Sequence, residues 1–326
     1  MLANSIIPCV AALVSLAAST ETHGGYDFQV RFSNTADPET TDIKDAYEQA
    51  AAEQASTHLQ ARINATGIAA DCLKSNTGPT PAELYALKDC VAADNVGNFF
   101  TLLADDIEES NTFWDTVVSQ STTDRTQWVP ARMYTKAYFD GDLLAAQFAI
   151  WTQSQNADDA NNHANPEHYY KKTTVTGLTS QSSDIFEGWG GVLSTFGTKR
   201  TNFTVPEYTT PTFGTADYPE EWAIDPSFLL IFQRIGPKVL KSGSEATFGA
   251  LHIAVRDLAA DEGDEGKSGI EVYAAVWYPP WDQASEQSRM EFTDNYLADE
   301  AHHMVVEVIN LTLQAQKDCS TGLCVA

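Results

Sequence analysis

Three segments in the second half of the chain are apolar on both sides of a two-residue period, and this constrains the fold more than any other feature. They read FLLIFQRI (Phe228 to Ile235), TFGALHIAVRD (Thr247 to Asp257) and GIEVYAAVWY (Gly269 to Tyr278). Successive side chains of a strand point to opposite faces. In the second segment Leu251, Ile253 and Val255 point one way, and Phe248, Ala250 and Ala254 the other. In the third, Val272, Ala274 and Val276 oppose Tyr273, Ala275 and Trp277. A sheet with two oily faces has to be covered on both. The turn LAADEGDEGKSG between the last two segments suits a hairpin, so the sheet is expected to be mainly antiparallel. Its acids miss the calcium-loop template, which needs a glutamate at the twelfth position counted from Asp261.

The first half of the chain has a different period. Ile43, Tyr47, Ala51, Ala55, Leu59 and Ile63 recur every four residues, with Thr41 or Asp42 available as a cap and Gly67 as a stop. PTPAELYALKDCVAAD opens with Thr80 and Pro81 in the N-cap and first helical positions. NVGNFFTLLADDIEESNTFWDTVV and GDLLAAQFAIWTQSQ also read as helices, and Tyr26 to Phe32 as a short strand. NADDANNHANPEH, with Pro166, reads as a loop. SDIFEGWGGVL reads as a short strand broken by glycines, and TVPEYTTPTFGTADYPEEWAIDP as a long connection wrapping the surface.

The last long segment, from Leu297, exceeds ordinary strand length. As a helix it gathers Glu300, His303, Glu307, Asn310, Gln314 and Lys317 into one stripe, expected to be solvated. Leu297, Ala301, Met304, Val305, Val308, Ile309 and Ala315 form the opposite, apolar band. The expected architecture is therefore α+β, with a helical N-terminal half and a C-terminal helix packed on a mainly antiparallel sheet. The helices of residues 41–155 are expected to cover one face and the C-terminal helix the other. Residues 21–326 are expected to form a single composite domain, with sheet and closing helix in 183–317.

Charge and composition narrow the function. Nineteen Lys and Arg against 45 Asp and Glu give a formal charge of -26, a field that repels phosphate backbones, so nucleic acid is an unfavourable partner. Residues 1–20, MLANSIIPCVAALVSLAAST, have no charged side chain and an apolar stretch ending in small residues, the pattern of a cleaved signal peptide. No later apolar run approaches the roughly 20 residues that span a bilayer. Four cysteines then remain, and the expected pairs are Cys72 with Cys90 and Cys319 with Cys324. Asn64, Asn202 and Asn310 open N-x-[ST] triplets. Together these features lead to the expectation of a secreted, extracellular glycoprotein.

The candidate site residues are sparse. His252 and Arg256 share a strand face with the small Ala250 and Ala254, so they are candidates for the polar end of a ligand cavity between sheet and covering helix, with Arg234, Tyr273 and Trp277 beside them. His163, Glu167 and His168 form a second cluster in HANPEH. Glu300 and His303 have the spacing of carboxylate-bridged metal helices, but these require a matching pair from another helix, so no metal site is expected. His302 and His303 point about 100° apart on a helix and do not share one ion. Hydrolase elbows, Walker loops, zincin helices and dinucleotide fingerprints are absent from the sequence. EGWGG, Glu187 to Gly191, reads as a bulged strand or a place where backbone nears a ligand. The leading expectation is a binder of a small or apolar ligand, with no cofactor specified. A lyase or hydrolase using His252 or the His163/His168 pair, with or without a divalent metal, is the alternative. A cation-dependent surface or matrix interaction protein is the third.

Overall fold

The computed structural model describes residues 21–32, 43–74, 78–175, 181–230, 232–241, 243–262 and 266–324. The expected signal peptide and the Thr41 and Asp42 caps lie outside them. The strands are β1 (Glu21–His23), β2 (Tyr26–Phe32), β3 (Val129–Tyr138), β4 (His168–Val175), β5 (Gln181–Trp189), β6 (Lys199–Val205), β7 (Phe232–Leu240), β8 (Thr247–Leu258) and β9 (Gly269–Tyr278). The helices are α1 (Ile43–Thr66), α2 (Pro81–Asp94), α3 (Asn98–Leu102), α4 (Ala104–Ser119), α5 (Ala145–Trp151), α6 (Gln155–Ala164), α7 (Glu286–Met290) and α8 (Leu297–Ser320). The strands make one nine-stranded sheet in the order β1-β2-β3-β9-β8-β7-β6-β5-β4, every neighbouring pair antiparallel. The α+β class and the C-terminal helix packed on the sheet follow the sequence reading. Among the described residues no helix is long and apolar enough to cross a membrane.

Local signals account for several elements. Thr80 caps α2 by accepting from Glu83 N at 3.3 Å, while the Glu83 carboxylate accepts from Thr80 N at 3.2 Å, a reciprocal capping box. Gly67 stops α1 at φ +75°, its N–H donating to Ile63 O at 2.8 Å. Both expected disulfides are present: Cys72–Cys90 ties a short 3₁₀ turn to α2, and Cys319–Cys324 closes the chain beyond α8.

Other expectations are corrected. NADDANNHA is helix α6, because tertiary partners hold a segment of low helix propensity: Asp158 accepts from Thr173 N and Oγ1 at 2.6 and 2.7 Å, and Ser154 caps the start. Phe228 belongs to a 3₁₀ turn, Pro226–Leu230, and the strand begins only at Phe232. Within the expected helical half lies β3, whose Ala131, Met133, Thr135 and Ala137 alternate inward. Phe248 sits on the opposite face from that expected. The register between β7 and β8 slips at Lys238/Val239, where Lys238 faces Gly249 and Val239 faces Thr247. A bulge of this kind reverses the alternation. The Phe248 ring consequently joins Trp114 at 4.7 Å and Phe203 at 5.5 Å on the helix side.

The covering of the sheet also differs from expectation. Helix α8 shares one face, here the inner face, with α4 and α5, packing with Val272, Ala274 and Val276. The outer face is covered by the 206–230 connection, whose Trp222 and Phe228 pack on Ala250, Ala254, Tyr273, Ala275 and Trp277. At the β4–β5 end, α1, α2 and α3 close over Tyr169 and Phe186. Two-sided burial was correctly implied by the apolar strands. The identity of the second cover was not, because a Pro- and Thr-rich connection carries its aromatic residues without a period.

Candidate functional site

The inner face encloses a cavity of about 110 Å³ bounded by β4, β5, β7, β8, β9, α5, α6 and α8. One wall is aliphatic: Leu251, Ile253 and Val255 from β8, Val272, Ala274 and Val276 from β9, and Met304, Val308 and Leu311 from α8. The other wall is polar and carries Glu187, Lys238, Glu300, His303, Glu307 and Asn161. The contrast comes from strand alternation on β8 and β9 combined with one stripe of α8.

That stripe is the one expected to be solvated, and its upper part is corrected: Glu300 is 1% exposed and His303 2%. Helix α8 is wedged between α1, α6 and the sheet, so even its polar side meets protein. Asn310 is half-buried, and its Nδ2 donates to Glu48 Oε1 and to Ala164 O, both at 3.0 Å. Asn64 is exposed on α1, and Asn202 half-buried on β6.

His168 reaches the site from the first position of β4. The preceding segment is held by Lys88, whose Nζ donates to Asn165 O at 3.0 Å, Pro166 O at 3.2 Å and His168 O at 2.5 Å. Burial pushes the Lys88 ammonium down to about 7. Asn165 Nδ2 donates to His303 O at 3.0 Å and so ties the same segment to α8. The His168 ring has its Nδ1 3.0 Å from Asn161 O and its Nε2 2.8 Å from His303 Nε2 and 3.3 Å from Glu187 Oε2. A carbonyl only accepts, so in the neutral ring Nδ1 carries the proton and Nε2 is an acceptor. His303 then donates through Nε2. Burial pushes both rings below the ordinary histidine range, His303 to about 3 and His168 well below it.

Glu187 comes from β5, on the same face as Ser183 and Ile185. Its position depends on the EGWGG turn that follows. Buried Asp299 accepts from Gly190 N at 2.7 Å, Val192 N at 2.8 Å, Leu193 N at 2.6 Å and the Tyr47 hydroxyl at 2.5 Å. Gly190 has φ +95°, and a Cβ there would lie 2.2 Å from Tyr296 Cε2. Only glycine fits this approach.

Lys238 completes the polar wall from β7. Its Nζ lies 3.3 Å from Glu187 Oε1 and 3.7 Å from Glu300 Oε1, with the rings of Trp189 and Phe203 4.3 and 4.4 Å away. The Tyr278 hydroxyl donates to Glu300 Oε1 at 2.9 Å, whereas buried Glu300 Oε2 has no hydrogen-bond partner among the described residues. Burial raises the Glu300 carboxyl to about 8 against the pull of Lys238, and raises Glu307 to about 7, with the Glu187 charge adding to it. Glu307 Oε1 accepts from Asn161 Nδ2 at 2.8 Å.

The residues expected to line a sheet-helix cavity are split between the two faces. Arg234 is on the cavity side, its Nη1 donating to Thr210 Oγ1 at 2.7 Å and Gln233 O at 2.8 Å. His252, Arg256, Tyr273 and Trp277 point outward. His252 Nε2 lies 2.8 Å from the Gln233 amide nitrogen, and its ring is edge-on to Tyr273 at 4.9 Å. Trp277 stacks on Trp222 at 4.8 Å. Arg256 pairs with Glu262 and Glu271 at 2.9 and 2.7 Å. His163 is separated from His168, its exposed ring 2.6 Å from Asp89 Oδ1. The cluster that does form, His168 with Glu187, Lys238 and His303, draws on four elements. The signals for it were the alternation placing Glu187 with Ile185 and the apolar residues Val305, Val306 and Leu311 around much of α8, a mark of a helix buried on several sides. No protein-family model matches this chain, and no curated protein is similar to it in sequence.

Proposed function

We propose that the chain binds a small, largely apolar molecule carrying one hydrogen-bonding end, held in the inner cavity. The observation behind this reading is the amphipathic lining: β8, β9 and α8 supply an aliphatic wall, facing polar groups from β4, β5, β7 and α6. Ligand sites are typically apolar pockets with few polar groups that fix orientation. An apolar cavity of ~150 Å³ accommodates benzene, so about 110 Å³ suits a molecule of similar or slightly smaller size. Passage through an oxidising compartment belongs to the same proposal and is supported by the two disulfides and by exposed Asn64 in its N-x-[ST] triplet.

Ligand-observed NMR with 1-butanol as the probe tests the binding. Saturable binding by the full chain is expected, with loss in Ala274→Phe, which fills the cavity at a packing cost of ~1–3 kcal/mol. Binding that persists unchanged in a folded Ala274→Phe protein places the alcohol elsewhere and defeats the proposal.

A further inference from the structure

The polar wall contains three ligand-type atoms that converge from separate elements: an imidazole nitrogen each from His168 on β4 and His303 on α8, and a carboxylate oxygen from Glu187 on β5, all within 4.8 Å of one another. We propose that these three residues form a binding site for one divalent first-row transition ion, of the zinc or iron class, with its remaining coordination positions open to the cavity. Two imidazoles and one carboxylate are a donor set used for zinc and for non-haem iron.

The spacing fits such an ion. Metal–ligand bonds of roughly 2.0–2.1 Å in a tetrahedral arrangement put ligand atoms roughly 3.3–3.4 Å apart. His168 Nε2 and Glu187 Oε2 are 3.3 Å apart. The two Nε2 atoms, at 2.8 Å, have to separate by roughly half an ångström, which small side-chain rotations supply. His303 then binds as its Nδ1–H tautomer.

The outer partners are those that metal ligands require. Asn161 O holds the His168 Nδ1 proton and aims the Nε2 lone pair inward. Lys238 grips Glu187 by its other oxygen, Oε1, and thereby orients Oε2 towards the imidazoles. With Nδ1 protonated, the lone pair of His168 Nε2 takes the His303 Nε2 proton at 2.8 Å, and the Glu187 carboxylate oxygen stands 3.3 Å away. A divalent ion in place of that proton, which moves to His303 Nδ1, presents one positive centre to both imidazoles and to the carboxylate.

A buried acceptor adds a second observation. Glu187, Glu300 and Glu307 line the same wall, and Lys238 is the ammonium paired with the first two. The other cations nearby have partners of their own: Lys171 is paired with Asp158, Lys88 donates to three carbonyls, and Arg234 donates to Thr210 and Gln233 O. Glu300 Oε2, buried on this wall, has no hydrogen-bond partner among the described residues and is an unsatisfied acceptor on the wall that carries Glu187 and His303. The inference does not depend on the alkyl ligand proposed above.

The test is a cobalt(II) titration of the full chain after treatment with a chelator, followed by visible absorption. One ion per chain is expected, with the intense ligand-field bands of a low-coordinate nitrogen–oxygen site. His303→Gln and Glu187→Gln are each expected to weaken binding by at least roughly 100-fold, whereas His163→Gln leaves it unchanged. Circular dichroism verifies that each variant is folded. X-ray absorption on the zinc-loaded unmodified chain gives a readout that needs no variant: two imidazole nitrogens are expected in the coordination shell. Binding indifferent to both ligand substitutions, or a shell made only of oxygens, overturns the proposal. Retention of cobalt in Ala274→Phe with loss of 1-butanol separates the two sites.

Discussion

The two faces of the same strands carry opposite chemistry. On the outer face, Tyr273, Ala275 and Trp277 of β9 meet Trp222 and Phe228 of the covering connection, and the Trp222 and Trp277 rings stack. On the inner face, Val272, Ala274 and Val276, the residues between them, line a cavity across from one histidine, three glutamates and two lysines. Around Trp222 and Trp277 the outer side is packed ring against ring. The inner side leaves space and concentrates titratable groups where water is scarce. The difference teaches that two faces alike in hydropathy can pack differently, one sealed by a connection and the other enclosing a cavity.

The largest test of that contrast is removal of the outer seal. Trp222→Ala is expected to cost about 4 kcal/mol, in the range for a buried aromatic, because Trp222 is fully buried against Trp128 and Trp277. Urea unfolding measures this. A loss below about 1 kcal/mol would falsify the view that the connection is an integral cover.

On the inner face, Lys238→Met is expected to cost about 3 kcal/mol, because Glu187 and Glu300 would lose their buried counter-ion. Adding Glu187→Gln and Glu300→Gln should recover most of it. If the triple variant is no more stable than the single one, Lys238 acts through packing on Trp189 and Phe203 and not through charge.

The smallest effect is on pH dependence. Burial raises Glu300 to about 8 from an ordinary value of 4.5. The folded chain therefore holds this proton more tightly than the unfolded chain, and the associated stability is complete below about pH 4.5 and is lost as pH rises towards 8. The shift of His303 down to about 3 acts in the other direction, adding stability as pH rises from about 3 to 6.5. Above pH 6.5 Glu300 and Glu307 lower stability while Lys88, held down to about 7, raises it, and the two carboxyls outweigh the one ammonium. Chelator-treated protein is thus expected to lose on the order of 1–2 kcal/mol between pH 6.5 and 8, and Glu300→Gln to flatten that decline. Parallel pH profiles for the two proteins would remove Glu300 from the account.

The candidate site was harder to read in the sequence than the fold. Strand β9 was legible to its ends because all ten of its residues are buried and both faces are apolar. Helix α6 was not, since Asp158 and Asn161 earn their helical places from Thr173 and Glu307, residues separated from them in sequence. Glu300, His303 and Glu307 were recognised as one stripe, but a stripe on one helix does not reveal what lies opposite it. Their partners, His168 and Glu187, lie more than a hundred residues earlier on two strands of the far sheet end.

Local chemistry alone determined the α+β class, the antiparallel β8–β9 hairpin, the capping box at Thr80, the stop at Gly67 and the two disulfides. Each rests on periodicity, a turn residue or a short spacing, all of which act within a few residues. The tertiary structure decided that α8 lies on the inner face, that the 206–230 connection seals the outer one, and that a one-residue bulge in β8 turns Phe248 inward. It also decided that His168, Glu187 and His303 meet. These outcomes depend on which distant surfaces bury each other, and the free energy of that burial belongs to the pair of surfaces and not to either segment alone.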